Sequence, residues 1–289
     1  MFPTFLPSQV QLLKEKAAIA LAQSIQRKSI VTSLSKQAIA TAYVCQGTGK
    51  PILLLHGFDS SVLEFRYLLP LLAKSRQTWA VDLLGFGFTE RMREIEYNPN
   101  SIKAHLNSFW KLIDQPLTLV GASMGGATAI DFALDYPQAV EKLILINSVG
   151  FSGDFPLGKF LFSPFDYLAI EYWRQRKLQA LYWGNYSDSL EAIRCASLHL
   201  DMPNWYEAML SFMKSGGYGD LADKIHEISQ PTLILWGDRD DTLSVNDATK
   251  FQQAIAHSQL IWLKNCGHVP QLEQPKILAN YIQAYLNDV

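Results

Sequence analysis

The feature that most restricts this chain is a series of short, nearly unbroken apolar runs with helix-like stretches between them: "PILLLHG", "TWAVDLLGFG", "PLTLVGAS", "KLILINS", "TLILWGD" and "QLIWLKN". A strand with one face in water alternates apolar and polar residues. These runs do not alternate, so both of their faces must be covered by protein. Strands of that kind, separated by helices, build a mostly parallel sheet between helical layers. Upstream, "SIVTSL" and "IATAYVC" are rich in β-branched and aromatic residues and read as two further strands.

The alternation breaks once. Between "LILINSVG", ending at Gly150, and "PTLILWG", starting at Pro231, about 80 residues hold no convincing core strand. They are dense in aromatics instead: Phe151, Phe155, Phe160, Phe162, Phe165, Tyr167, Tyr172, Trp173, Tyr182, Trp183, Trp205 and Tyr206. Helical patterns such as "LEAIRCASLHL" sit among turn residues. The stretch therefore reads as a helical insertion, a cap over residues 151–228, carried on a core formed by 29–150 and 229–289. Its aromatics either fill the cap's own interior or line an apolar pocket between cap and core, where ligand sites tend to form.

Composition narrows the classes of function. With 48% hydrophobic and 18% charged residues in a chain of 289, a large core can be buried. A net charge of −2, without any block of like charge, offers no footprint for nucleic acid. Cys45, Cys195 and Cys266 are far apart and odd in number, with neither metal-ligand spacing nor a disulfide pattern. A reducing, cytoplasmic compartment is the expectation. No apolar run reaches the ~20 residues of a membrane-spanning helix. Residues 1–28 lack the order of a signal peptide. There Val10, Leu13, Ala17, Ala20, Leu21 and Ile25 recur at helical spacing, which predicts one amphipathic helix, opened by Ser8 after Pro7 and packed on the core. A peripheral membrane contact led by Phe2, Phe5 and Leu6 is the rival use of that segment.

The chemistry centres on "LTLVGASMGGATAIDFA". A strand over 117–120 runs into Gly121-Ala122-Ser123-Met124-Gly125, and a helix of small residues follows. This is the strand–turn–helix setting in which G-x-S-x-G presents a nucleophilic serine. So sharp a turn exposes the hydroxyl but crowds the residues on either side. Gly121 and Gly125 relieve that crowding, and Gly126 lets the helix lie close on the sheet. The helix N-terminus beneath the serine favours developing negative charge.

A serine hydroxyl needs a base, usually a histidine oriented by a carboxylate. Of six histidines, His105 lies in a helix before the turn, His199 and His226 in the insertion, and His56 at the end of an early strand. His257 precedes the strand "QLIWLKN" and His268 follows it. In a parallel sheet the site sits at the carboxyl ends of the strands, which selects His268. His56 reads as a residue shaping the "HGFDSS" loop, with Asp59, Ser60 and Ser61 as turn formers. The glycine of that loop lets the following amide turn into the site. The backbone N–H groups of Phe58 and Met124 are thus the expected oxyanion donors. Asp82 in "AVDLLGFG" also ends a strand, and reads as a carboxylate fixing its loop through backbone hydrogen bonds.

After "LILINS" come only Asn147 and Ser148, so the acid falls to the strand after the insertion. There "LILWGDRDDTL" crowds together Asp238, Asp240 and Asp241. Asp238 beside Gly237 suits an Asx-type turn, and Ser244 with Asp247 suits a capping box at the next helix. Asp240 and Asp241 remain, and position in the loop does not separate them.

Together, "HGF", "VDLLGFG", "GASMGG", "LWGDRD" and "GHVPQLEQP" resemble the landmarks of the α/β-hydrolase superfamily, in its order of serine, acid and histidine, over roughly residues 38–150 and 228–289. The resemblance implies the α/β-hydrolase fold: a mostly parallel central sheet flanked by helices, with a helical cap inserted after the sixth strand. It also implies Asp240 as the acid, because members of this kind carry it as the closing aspartate of a W-G-x-x-D pattern. Epoxide hydrolases and haloalkane dehalogenases have aspartate at the turn, where this chain has Ser123. "SMGG" is similar to hydrolases of carbon–carbon bonds in aromatic-ring cleavage. Those usually have asparagine and a Gly-Pro-Gly run where Ala122 and "FDSS" stand here. Cofactor-free perhydrolases share much of the pattern.

The expectation is a serine hydrolase of carboxylic esters or related acyl compounds, with Ser123, Asp240 and His268 as its triad and no metal or organic cofactor. The aromatic cap points to an apolar or aromatic substrate. The alternatives are a C–C bond hydrolase, a perhydrolase and, from another class, a non-catalytic small-molecule receptor on the same scaffold.

Overall fold

Eight strands form one sheet among the described residues of the computed structural model: β1 (Gln26–Ile30), β2 (Ile39–Gln46), β3 (Pro51–Leu55), β4 (Gln77–Val81), β5 (Leu117–Ala122), β6 (Val140–Ile146), β7 (Thr232–Gly237) and β8 (Ser258–Leu263). The description covers residues 1–153, 160, 162, 163, 165–183 and 187–287, with backbone alone at 180–183 and 187–189. β3, β5 and β7 are buried at every position, as runs without polar alternation require. The order across the sheet is β1-β2-β4-β3-β5-β6-β7-β8. β2 pairs antiparallel with β1 and β4, and every other pair is parallel. The first strand, expected over "SIVTSL", lies three residues earlier, where Gln26 to Ile30 find backbone partners in β2.

The helices are α1 (Lys16–Ser24), α2 (Leu68–Leu72), α3 (Pro99–Trp110), α4 (Met124–Asp135), α5 (Phe165–Trp183), α6 (Ser187–Ser197), α7 (Trp205–Lys214), α8 (Asn246–Ala254), α9 (Pro270–Glu273) and α10 (Pro275–Asn287). Successive strand residues serve opposite faces, so Leu53 and Leu55 join one core and Ile52 and Leu54 the other. α3, α4 and α8 cover the first face; α1, α2 and α10 cover the second. β4 lies on one side of β3 and β5 on the other. The connections leaving β3 and β5 therefore part in opposite directions, and a crevice opens at the carboxyl ends of these two strands.

The N-terminal segment departs from the single predicted helix. A 3-10 turn over Ser8–Leu12 ends at extended Leu13, and α1 begins only at Lys16. The break rotates the pattern. Val10, Leu13, Ala18, Leu21, Ala22 and Ile25 are buried, while Ala20 is exposed. Leu6 is buried too, and Phe2 and Phe5 pack half-buried against the same core, with the Arg27 guanidinium over the Phe5 ring. Of the apolar residues offered for a membrane contact, Leu6 is thus buried and Phe2 and Phe5 are partly covered by the core. Among the described residues no helix is long and apolar enough to cross a membrane.

Between β6 and β7 the described secondary structure is all helical, α5, α6 and α7 with short 3-10 turns, joined by turns and coil, in the stretch where a helical cap is expected. Among the described residues its aromatics are split between surface and core. Phe160, Phe162, Phe165, Tyr167 and Tyr172 are exposed, whereas Trp205 is buried against the core. Phe155 and the side chains of Tyr182 and Trp183 lie outside the described residues. Of the cysteines, Cys195 and Cys266 are buried and Cys45 half-buried.

The predicted capping box at α8 is absent. Val245 occupies the cap position, and the Ser244 hydroxyl accepts only a loose bond of 3.3 Å from the Asn246 N–H. Asp247 is instead fully buried, taking the Ser152 hydroxyl and the Lys250 ammonium. It fastens the start of the insertion to the core. Urea unfolding should therefore place Ser244→Ala within about 0.5 kcal/mol of the parent. Asp247→Ala should lose about 1–3 kcal/mol, since the Ser152 hydroxyl forfeits its buried acceptor. The reverse order would restore the capping box.

Candidate active site

The turn after β5 is built by close approach. Ser123 has φ 52° and ψ −120°, a conformation that L-residues avoid. Its own backbone is held on three sides: its N–H donates to the Ile146 carbonyl at 2.9 Å, and its carbonyl accepts from Gly126 and Val149. A Cβ on Gly121 would stand 2.2 Å from the Gly125 carbonyl oxygen, and one on Gly125 would stand 2.1 Å from the Leu55 carbonyl oxygen. A Cβ on Gly126 would strike the Ser148 hydroxyl at the end of β6. The glycines are required because α4 starts directly against the backbones of β3 and β5.

Ser123, His268 and Asp240 lie in one row. His268 Nε2 is 3.1 Å from Ser123 Oγ, and His268 Nδ1 is 3.0 Å from each Asp240 oxygen. The Glu273 carboxylate holds the histidine loop from both sides, accepting the Gly267 and Val269 N–H groups. Asp240 Oδ1 also accepts the Thr242 and Leu243 N–H groups at 2.9 and 3.0 Å. The Asx-type turn predicted for Asp238 thus belongs to Asp240. Asp238 faces Lys264 at 3.5 Å, and Asp241 is exposed and accepts the neighbouring Thr242 hydroxyl at 3.3 Å. Burial pushes the Asp240 carboxyl up, but the bonds from His268, Leu243 and Asn147 outweigh it and leave its pKa lowered.

Asn147 is the contributor that sequence reasoning passed over. Left-handed at φ 41°, it donates from Nδ2 to Asp240 Oδ2 at 2.6 Å and accepts the Gly237 N–H on Oδ1. Its place at the end of β6, noted only for lacking an acid, was the available signal. The other histidines lie elsewhere. His105 is buried against Thr41, and His226 and His257 are exposed.

The loop after β3 rests on buried polar groups. Asp82 accepts the Val62 and Phe88 N–H groups at 2.6 and 2.7 Å, the loop-fixing role expected of it. Burial pushes its carboxyl up to about 7 against those donors. His56 donates from Nδ1 to the Gly57 carbonyl at 2.8 Å and accepts the Leu83 N–H on Nε2. Burial lowers its pKa to about 3, so it stays neutral, in keeping with a shaping role. Glu64, also unforeseen, accepts the Gly57 N–H and the Gln271 amide, tying this loop to the histidine loop.

Ser123, His268, Phe58 and Met124 all border one cavity of about 810 Å³. Trp173, Phe212 and Tyr218 give it an aromatic side, while Glu64, Arg66 and Lys177 give it a charged one. The apolar pocket foreseen from the aromatics is therefore mixed. Asp59 differs most from expectation. It does lie in a turn, as expected, but it is 1% exposed and receives donors from His199, Trp205, Trp173 and Lys177, all in the insertion. Among the described residues, no group of three or more His, Cys, Asp or Glu side chains is placed to hold a metal ion.

Residues 50–275 match the family of the alpha/beta hydrolase fold. The chain is 33% identical to the alpha/beta hydrolase domain-containing protein VTE7 of Arabidopsis thaliana, over 98% of this chain and 90% of that one. It is 30% identical to a 2-hydroxy-6-oxo-2,4-heptadienoate hydrolase of Pseudomonas putida, over 83% of this chain and 90% of the relative. A crystal structure of a serine hydrolase involved in carbazole degradation superposes with a TM-score of 0.73 at 25% identity, covering 91% of this chain and 98% of that one. With the sheet, the turn and the sequence match in agreement, the chain belongs to the alpha/beta hydrolase fold family.

Proposed function

We propose that the protein is a serine hydrolase of carboxylic esters or related acyl compounds, working through an acyl-enzyme. The observation that carries this reading is the unbroken row from Ser123 Oγ through the His268 imidazole to Asp240. His268 Nε2 takes the serine proton as Oγ bonds to the substrate carbonyl carbon. Asp240 accepts from Nδ1, which fixes the tautomer that leaves Nε2 free to act as base. The Phe58 and Met124 amides receive the oxyanion, in the loop and helix start that border the cavity beside Ser123. Collapse breaks the bond to the leaving alcohol, which carries away the proton held by His268. Water then attacks the acyl-enzyme by the same route and releases the acid. The aromatic side of the cavity suits an apolar or aromatic acyl or alcohol group.

A second reading, hydrolysis of a carbon–carbon bond, has one supporting observation: the likeness to the Pseudomonas putida dienoate hydrolase. Against it stand Ala122 and the "FDSS" loop, whose Asp59 is committed to the insertion. Turnover of graded p-nitrophenyl esters alongside a ring-cleavage dienoate separates the two.

A fluorophosphonate should label Ser123 in the folded protein; an unlabelled serine would remove the enzymatic reading and favour a receptor. Asp240→Asn should lower kcat by roughly 10⁴, the effect of losing a triad carboxylate. Asp241→Asn and Asp238→Asn should stay within about threefold, as surface changes away from a site do. A large loss at Asp241 instead would reassign the acid. The lowered pKa of Asp240 also makes a stability prediction. Its ionised form supports the fold above the ordinary carboxylate pKa of about 3.9, and that support fades as pH falls through the lower folded value. The acid limb of a stability–pH curve should accordingly be shallower in Asp240→Asn, and an unchanged limb would contradict this.

A further inference from the structure

The cavity's charged side contains a group that triad chemistry leaves without a task. Asp59 follows Phe58 directly, is buried, and holds φ at 47°. Aspartate is among the few residues that adopt this left-handed turn conformation readily, and exposed Asp114 does so as well. What distinguishes Asp59 is the set of donors that the insertion brings to its carboxylate. His199 Nε2 and Trp205 Nε1 donate to Oδ1 at 2.7 and 2.9 Å. Trp173 Nε1 and Lys177 Nζ each donate to Oδ2 at 2.8 Å, and Lys177 also donates to the Asp59 carbonyl. Burial raises the Asp59 carboxyl, but Lys177 and His199 outweigh it and hold it well below the usual carboxylate range. One carboxylate of the core thus gathers α5, α7 and the 3-10 turn between α6 and α7, over Leu198–Asp201.

The neighbouring peptide is held from the other end by the core. The Gly57 carbonyl and the Phe58 N–H share one planar unit and point in opposite directions. His56 Nδ1 binds that carbonyl at 2.8 Å, and Glu64 binds the Gly57 N–H at 3.1 Å. Beyond Phe58, the next restraint on the chain is Asp59. The Phe58 ring also packs on Trp173, at 5.5 Å between centroids, the side chain whose indole reaches Asp59.

We propose that Asp59 is a positioning residue for the oxyanion donor: through its carboxylate, the seated insertion holds the Phe58 amide in its working orientation. The inference rests on the serine hydrolase reading above. It makes the oxyanion hole a joint product of core and insertion, half of it built by helix α4 at Met124 and half dependent on the insertion being in place. Cap seating and transition-state stabilisation are then a single event.

The test compares Asp59→Asn with Trp173→Phe/Trp205→Phe, which removes two donors to Asp59 while keeping an aromatic ring at each position. Steady-state hydrolysis of p-nitrophenyl acetate and the affinity for phenylboronic acid, which forms a tetrahedral adduct on the serine, are measured beside Tm. Asp59→Asn should lower kcat by roughly 10–100-fold, part of the ~10²–10³ seen when an oxyanion donor is removed outright, with KM within about twofold. Boronate affinity should fall by a similar factor. The double Trp variant should show a smaller drop of about 3–10-fold in kcat and in boronate affinity, since two donors to the carboxylate remain; because Trp173 also lines the cavity, kcat and not KM is its readout. If Asp59→Asn does not fold, the double variant decides. A lowered Tm with kcat and boronate affinity unchanged would reduce Asp59 to a structural tie and overturn the proposal. Wild-type protein that fluorophosphonate does not label would overturn the underlying reading, and the inference with it. Labelled wild type with unaffected variants would overturn the inference alone.

Discussion

The contact of the Ser123 turn with the ends of β3 and β6 sets the terms for everything around it. Gly125 lies where no Cβ would fit beside the Leu55 carbonyl, and Ser123 is bonded through its backbone to Ile146 and Val149. Because β3 and β5 are neighbours whose connections diverge, the turn occupies the crevice between them. A strained serine survives there because the backbone bonds and the packed glycines leave it no alternative. The loops after β3, β7 and β8 then have to meet this fixed point, and the rest of the site is the apparatus that makes them do so.

That apparatus is polar and mostly buried, which is unusual material for a core unless every group is satisfied. Asp82, His56 and Glu64 bind backbone N–H and C=O groups of the β3 loop. Asn147 does the same between β6 and β7, bonding to Gly237 and Asp240 together. Such groups convert irregular loops into precise ones, since an unmade bond at a buried site is far more costly than a made one is stabilising. Asp59 extends the device across to the insertion, so the charged side of the cavity also forms the joint between the two parts of the chain.

Legibility in the sequence followed periodicity and motif. The runs of β3, β5 and β7 became strands buried at every position because continuous burial leaves a local signature, whereas "QLIWLKN" became the mostly half-buried edge strand β8. Ser123 and His268 were legible as candidates because each follows a strand at the carboxyl edge of the sheet. The errors share a different cause. The N-terminal helix was drawn through Leu13 because helical spacing cannot report a break that tertiary packing imposes. Asp247 was read as a cap partner because Ser152, which takes its carboxylate, is 95 positions away in the chain. The Asx turn was placed at Asp238 rather than Asp240 for a similar reason: local spacing allows either, and the loop's turn around Asp240 goes with its bonds to His268 and Asn147.

By itself, then, the sequence determined the layered, mostly parallel sheet, and it marked the glycine-flanked Ser123 turn and His268 as candidates, all of which depend on neighbours within a few residues or on regular repetition. Loop position left Asp240 and Asp241 open and only the family resemblance pointed to Asp240; tertiary structure brings Asp240 to His268, and it alone decided that Asn147 holds it and that Asp59 is an anchor for the insertion. Each of these is a bond between residues about 28 to 146 positions apart. The choice among nearby carboxylates depends on which donors the fold brings within 3 Å, and no local pattern encodes that distance.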